Sequence, residues 1–364
     1  MHYHKPDYTL IITILALTIF GLIMLSSASV VMSYQMFGHN YYYFLRQLLL
    51  GGILGFLGFF IVSKIDYHRW KKFALTLLII TLTLLVLVLI PQFNLEYGGA
   101  KRWIHIGPLT MQPTEMAKLT FLLYLASWLD KRRKGISNFQ TSFVPFIALL
   151  GLIGFLIILQ PDIGTLTIIA LSAITVYFIA GAHFPYLISL LVSGVILFLI
   201  LVKIAPYRMA RFTIFLNPEI DPQGIGYQIN QALLAIGSGG LFGSGLGKSL
   251  QKYNYLPEAS GDSIFAIIAE ELGFIRVLIL IALFTILAYK GFQIAKSAPD
   301  LFGKLVVSGI ISWIILQALI NIAAMVGLIP LTGVPLPFVS YGGTALLFTL
   351  LGVGIVVNVS RQTR

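Results

Sequence analysis

An all-α, polytopic membrane helix bundle of about ten spans is the fold class this sequence predicts, and three observations predict it. Hydrophobic residues make up 58% of the chain and charged ones 10%, with a mean hydropathy of +0.93, so most of the surface must face lipid. Ten apolar runs each reach the roughly 17 to 25 residues that cross a bilayer. Most Lys and Arg residues sit between these runs. The net charge of +11 therefore speaks for topology and against nucleic acid, which would need a basic face on a soluble domain. With no cysteine in the chain, a disulfide framework and thiolate chemistry are excluded.

In chain order the spans are expected near residues 9–32, 46–63, 73–91, 112–129, 142–159, 165–181, 185–204, 263–289, 304–328 and 341–358. The first is longer than a signal-peptide core and reads as an uncleaved anchor. Residues 1–364 read as one membrane domain with a single large loop at about 205–262. Tyr41 to Tyr43 read as an interfacial belt, and the six histidines have no metal-ligand spacing.

Basic residues of short loops are retained on the cytoplasmic side. With the N-terminus inside, Lys5, Lys64, Arg69, Lys71, Lys72, the run 131–134, Lys290, Lys296, Lys304, Arg361 and Arg364 all fall on the inner face. The short outer loops hold only Arg46, Lys101 and Arg102. Both termini are therefore expected in the cytoplasm. Glu96, Glu115, Asp162, Glu219, Asp221, Glu258 and Asp262 then fall at the outer face, and Asp7, Asp66, Asp130 and Asp300 inside. Carboxylate chemistry is expected outside.

Between Tyr255 and Gly273 a polar loop turns into an apolar helix, and this short stretch carries Glu258, Asp262, Glu270 and Glu271, four of the chain's 13 acidic residues. It is the leading candidate site. Glu270 and Glu271 read as packing residues, one of them meeting a buried Arg, with Arg276 a candidate, or a polar helix partner. A second candidate is the loop 92–111 running into QPTEMAKL, where Pro113 suits a helix first turn and Glu115 follows at the end that favours an anion. Glu115 and Lys118, three apart, share a face and can pair. In the third, QPDIGT at 160–165, Asp162 suits a helix cap.

The loop 205–262 is too long to be a mere connector. Ile229, Leu233 and Ile236 share one helix face, and Gln228 and Gln231 another, which suggests a short helix lying on the membrane surface. The later GKS lacks the glycine spacing of a phosphate loop. Its glycines suit tight turns close to backbone or headgroup. Gln317 and Asn321, four apart, suit bonds between helices, or else a place lining the same cavity. The prolines 330, 335 and 337 with Ser340 to Gly343 read as a re-entrant stretch bordering the site. Trp103 and Tyr97 suit interface anchors.

Together GGAKRWIHIG, QPTEMAKL, PDIGT, the string from Asn217 to Gly273 and LPLTGVPLPFVSYGG resemble the SEDS (FtsW/RodA/SpoVE) family, with GLGKSLQKYNYLPEA closest to its division and sporulation branch. The resemblance implies a peptidoglycan glycosyltransferase that polymerises lipid II at the outer face of the bacterial cytoplasmic membrane. It also implies a class B penicillin-binding protein as crosslinking partner, other cell-division membrane proteins and membrane lipid around it, and a divalent cation, Mg²⁺ or Mn²⁺. Asp262 matches the family's catalytic aspartate, and Glu115 and Lys118 match its Ser-Glu-x-x-Lys element, with Thr114 in place of serine. Gly261 and Ser263 depart from the Thr and Phe common beside that aspartate.

Joining the sugars inverts the anomeric carbon, so one base for the attacking hydroxyl suffices and no covalent sugar intermediate is needed. Asp262 is the expected base, with Lys118, Arg102, Arg208 or Arg211 on the departing pyrophosphate. The candidate substrate contacts are Arg102, Trp103, Arg208, Arg211, Lys248, Glu258 and Ser340. A lipid II flippase or a noncatalytic division scaffold are the alternative readings.

Overall fold

The computed structural model describes residues 4–97, 100–106, 109–217, 220–221, 223–224 and 226–363. The expectations for the side chains of Glu96, Tyr97, Lys134, Glu219 and Arg364 fall outside the described residues. Helix dominates the rest. Among the described residues eight helices are long and apolar enough to cross a membrane and Ile163–Ile179 is a shorter apolar helix, against the ten spans expected.

The first span is α1 (Tyr8–Ala28), followed by the short α2 (Val30–Phe37). The second joins α3 (Tyr42–Arg46), a π-helical stretch Gln47–Ile53 and α4 (Leu54–Lys64). After α5 (Tyr67–Leu87), three short strands form an antiparallel sheet in the order β1 (Asn94–Tyr97), β2 (Ala100–Ile106), β3 (Leu109–Met111). This sheet is an addition to the all-helical expectation. It closes the loop over the bundle end and aligns Leu95 with Trp103.

Then come α6 (Pro113–Lys131), α7 (Val144–Ile158) with a π-helical start at Phe139–Phe143, α8 (Ile163–Ile179) and α9 (Phe184–Ile204). Pro113 opens α6 as expected, because a helix first turn needs no proline N–H. The large loop holds α10 (Pro206–Leu216) and α11 (Tyr227–Gly239), and the last three spans are α12 (Ile264–Lys296), α13 (Leu301–Met325) and α14 (Gly343–Ser360). Gly273, at φ 76, breaks α12 near its start.

Asp7, Asp66, Asp162 and Asp300 each cap a helix, accepting from Leu10, His68, Thr165 and Gly303 main-chain N–H groups. That use of four scarce acids follows from the free N–H groups at every helix start. His4 and Arg361 meet at one end of the bundle, where the His4 N–H donates to the Arg361 carbonyl at 2.8 Å. There Lys290 pairs with Asp7 at 3.4 Å and His68 bridges Asp66 and Asp300, 2.7 Å from each. The long loop caps the opposite end.

The core centres on α13, whose Ile310, Ile311, Trp313 and Ile314 are buried. By contrast α9 exposes most of its length, as a lipid-facing helix does. The expected surface helix is corrected: α11 packs on α12 through Ile229, Ala232, Ala235 and Gly239, while Leu233 and Leu234 are exposed. Small residues let the two backbones approach, which the apolar count alone did not reveal.

Candidate active site

A cavity of about 1920 Å³ opens at the loop end of the bundle among α6, α8, α9, α10 and the segment 329–348. Arg102, Trp103, Glu115, Arg208, Arg211, Glu258 and Asp262, all singled out from sequence, line it. Lys118, Lys248 and Ser340 do not. Lys118 lies behind Glu115. The Ser340 hydroxyl accepts from the Leu336 N–H at 2.7 Å and so closes the re-entrant turn rather than facing the cavity. Lys248 is exposed on the glycine-rich turn, which is drawn toward α12 by the Ser244 and Gly245 N–H groups donating to Glu270 and Glu271 carbonyls, both at 2.9 Å.

Asp262 sits two residues before α12, partly buried in the cavity wall. Its Oδ1 accepts from Gln228 Nε2 and from Ser263 Oγ, both at 3.4 Å, and Gln228 Nε2 also donates to Ser263 Oγ at 3.0 Å. Its main-chain carbonyl accepts from Asn321 Nδ2 at 2.8 Å. Burial first, and the Glu258 carboxylate second, push the Asp262 carboxyl from 3.8 up to about 6, while the Arg211 charge and the Gln228 hydrogen bond pull it down. Such a group is ionised at neutral pH and still basic enough to accept a proton.

Behind the wall, Lys118 Nζ lies 2.9 Å from Glu115 Oε1 and 2.8 Å from Oε2. It also donates to Gln317 Oε1 at 2.8 Å and stands 5.1 Å from the Trp313 ring centre. Glu115 and Lys118 are each only 2% exposed, so the pair survives burial because each charge meets its opposite, with Gln317 a further acceptor for Lys118. Gln317 Nε2 donates to the Pro335 carbonyl at 2.9 Å, and Asn321, one turn on, donates to the Val334 carbonyl at 2.7 Å. A continuous chain of bonds thus runs from the α6 ion pair through α13 to the Asp262 backbone.

The cationic side of the cavity is held by main-chain carbonyls. Arg211 Nη1 donates to Leu331 at 3.4 Å, Arg208 Nη1 to Leu201 at 3.2 Å, and Arg102 Nε to Gln160 at 3.2 Å, with Arg102 Nη2 on Pro161. Asp162 lines the cavity and caps α8 through Thr165, as its spacing predicted.

Three contributors were not among the expected site residues, and a fourth, Tyr341, was expected only in the stretch bordering the site. Arg46, counted there only as a loop charge, lines the cavity and donates to Thr110 Oγ1 at 2.9 Å. Tyr341 lines it too, its N–H on the Ser260 carbonyl at 2.8 Å and its hydroxyl pushed up to about 12 chiefly by burial. Gln228 and Asn321 reach Asp262 from helices 34 and 59 residues away in sequence. The off-face position of Gln228 on α11 was the one available signal.

Another expectation is corrected. Arg276 is exposed and donates to the Phe242 carbonyl at 2.9 Å, whereas Glu271 meets Lys252 at 3.0 Å and Ser27 Oγ at 2.7 Å. Glu270 takes the Leu250 N–H at 2.8 Å and the Ser249 hydroxyl. Both glutamates thus pin the segment 249–252, across the turn rather than along the helix. Among the described residues no three His, Cys, Asp or Glu side chains converge.

The family model described as cell cycle protein, FtsW/RodA/SpoVE, matches residues 8–364. The chain is similar to stage V sporulation protein E of Bacillus subtilis, 44% identical over 99% of this chain and 98% of that one. It is likewise similar to a probable peptidoglycan glycosyltransferase FtsW of Trichlorobacter lovleyi, 41% identical over 97% of this chain and 93% of the other. Among solved structures, a chain of a peptidoglycan synthase complex with coordinated polymerization and crosslinking superposes with TM-score 0.79 and 29% identity, covering 98% of each chain. The rod shape determining protein RodA of Thermus thermophilus superposes with TM-score 0.72 and 29% identity, over 98% of this chain and 97% of that one.

Proposed function

The chain belongs to the FtsW/RodA/SpoVE family of cell cycle proteins, and from that membership we propose that it is a peptidoglycan glycosyltransferase polymerising lipid II. The observation that carries the reading is Asp262, an acid raised to about 6 in the wall of a large cavity that arginines share. In the proposed step, Asp262 accepts the proton of the attacking sugar hydroxyl while the hydroxyl oxygen bonds the anomeric carbon and the pyrophosphate leaves from the opposite face. Arg211 and Arg208 stabilise the departing negative charge. Lys118, bonded to Glu115 and Gln317 behind the cavity wall, supports the site in this reading rather than touching the pyrophosphate.

The deeper cavity wall supports the same substrate class. Leu150, Ile158, Leu171, Leu190 and Phe198 of α7, α8 and α9 give it an apolar flank, suited to a polyprenyl chain. A divalent cation, Mg²⁺ or Mn²⁺, belongs to the proposal as a companion of the substrate's pyrophosphate. The loop end faces outward and both termini lie in the cytoplasm, because the terminal end carries the excess of Lys and Arg. A class B penicillin-binding protein is the proposed partner.

Purified protein incubated with lipid II, with and without that partner, tests the reading. Glycan strands from the wild type and none from Asp262→Ala are expected. Lipid translocation in liposomes without strands would instead make it a flippase, and Asp262→Asn polymerising at the wild-type rate would remove the base.

A further inference from the structure

We propose that Gln228 and Ser263 act as a positioning clamp on Asp262, holding Oδ1 so that Oδ2 alone is presented to the attacking hydroxyl. The proposal rests on the glycosyltransferase reading of the site. Its geometry comes from three elements. Gln228, on the first turn of α11, reaches Asp262 Oδ1 at 3.4 Å and Ser263 Oγ at 3.0 Å, and the Ser263 hydroxyl reaches the same Oδ1 at 3.4 Å. One carboxylate oxygen thus receives two donors, and the donors are bonded to one another. The distances are long for charge-assisted bonds, as catalytic bonds without substrate commonly are.

Oδ2 has different surroundings. In the re-entrant segment Gly333 borders it: an added Cβ there would stand 3.8 Å from Oδ2. Gly333 has a left-handed φ of 68 and lines the cavity, so this position puts no side chain against Oδ2. Gly261 matters on the other flank. A Cβ there would come within 3.0 Å of Glu258 Oε2, so glycine lets the Glu258 carboxylate approach the acid.

This matters for a chain with Gly261 and Ser263 at these places. A residue with a phenyl ring at 263 could neither donate to Oδ1 nor accept from Gln228. Ser263 therefore makes the orientation of the base depend on a polar pair. The charged groups that bear on Asp262 are Glu258 from its own loop and Arg211 from α10, with Gln228 the polar group from α11. Asn321 of α13 holds only its carbonyl, and Arg46, Arg102, Arg208, Glu115 and Tyr341 line the wider cavity.

The test is lipid II polymerisation against pH by wild type, Gln228→Leu, Ser263→Ala and Ser263→Thr, with thermal unfolding of each. Loss of a donor to the ionised acid is expected to lower kcat about tenfold with KM unchanged and to move the acid limb of the profile upward. Ser263→Thr, which keeps the hydroxyl, restores both. Wild-type kcat and an unmoved acid limb in Gln228→Leu and Ser263→Ala would overturn the clamp. So would losses that follow the melting temperature and are not rescued by Ser263→Thr. Failure of the underlying reading looks different: there the wild type makes no strands, or Asp262→Asn makes them as well as the wild type.

Discussion

Asn321 holds the backbone of Asp262 from below: its side-chain amide donates to the Asp262 carbonyl at 2.8 Å and to the Val334 carbonyl at 2.7 Å. One side chain on α13 thereby joins the end of the long loop to the re-entrant segment. Asn321→Leu would orphan two carbonyls in a buried place, each at a cost of about 1–3 kcal/mol. The expected outcome is a lower melting temperature in detergent together with a fall in kcat. Asn321→Leu melting and turning over like the wild type would show that the joint is not needed.

The Asp262 carboxyl, raised to about 6 chiefly by burial and then by Glu258, sets a pH dependence. As a base it works ionised, so turnover should fall about tenfold per unit as pH drops below about 6. Glu258→Gln removes a like charge and should move that limb to lower pH. Arg211→Gln removes an opposite charge and should move it higher. A limb that responds to neither substitution would mean that another group limits the rate.

The same shift has a sign for stability. Because its folded value lies above the unfolded one, Asp262 favours folding when protonated, and that contribution is lost as pH rises through about 6. Asp262→Asn should therefore melt no lower than the wild type at pH 8 while making no glycan. A variant that is inactive because it unfolds would contradict this.

Glu115 and Lys118 offer a double-mutant cycle. Removing either charge alone strands the other in a buried site, which typically costs about 3–5 kcal/mol. Lys118→Met and Glu115→Gln should each lower the melting temperature, and the double variant should recover part of the loss. Additive losses would mean that the pair is not coupled.

The spans were legible because hydropathy is a local property, and α6 was legible despite its charges because Pro113, Glu115 and Lys118 have the order a helix start favours. Asp262 and Glu115 were legible for their rarity in an apolar chain and for their motifs. What failed was direction. Ser340 is in the expected segment but spends its hydroxyl on Leu336, and Lys248 is carried away on a turn pinned toward α12. Arg276 was favoured for nearness in sequence, yet Lys252 reaches Glu271 across the glycine-rich turn. Gln228, Asn321 and Arg46 acquire their roles from tertiary contacts that no periodicity encodes.

The approach of α11 to α12 supports the last prediction. An added Cβ at Gly239 would lie 2.0 Å from the Ala269 carbonyl oxygen, a backbone atom that cannot swing aside. Gly239→Ala must therefore part the two helices, and overpacking of this kind costs about 1–3 kcal/mol. Since α11 also carries Gln228, its displacement should lower kcat as well as the melting temperature. Gly237, two residues earlier on the same helix, has nothing within 4 Å of an added Cβ, and Gly237→Ala should stabilise the helix by about 0.5–1 kcal/mol. Equal behaviour of the two variants would show that close backbone contact at Gly239 does not set the position of α11.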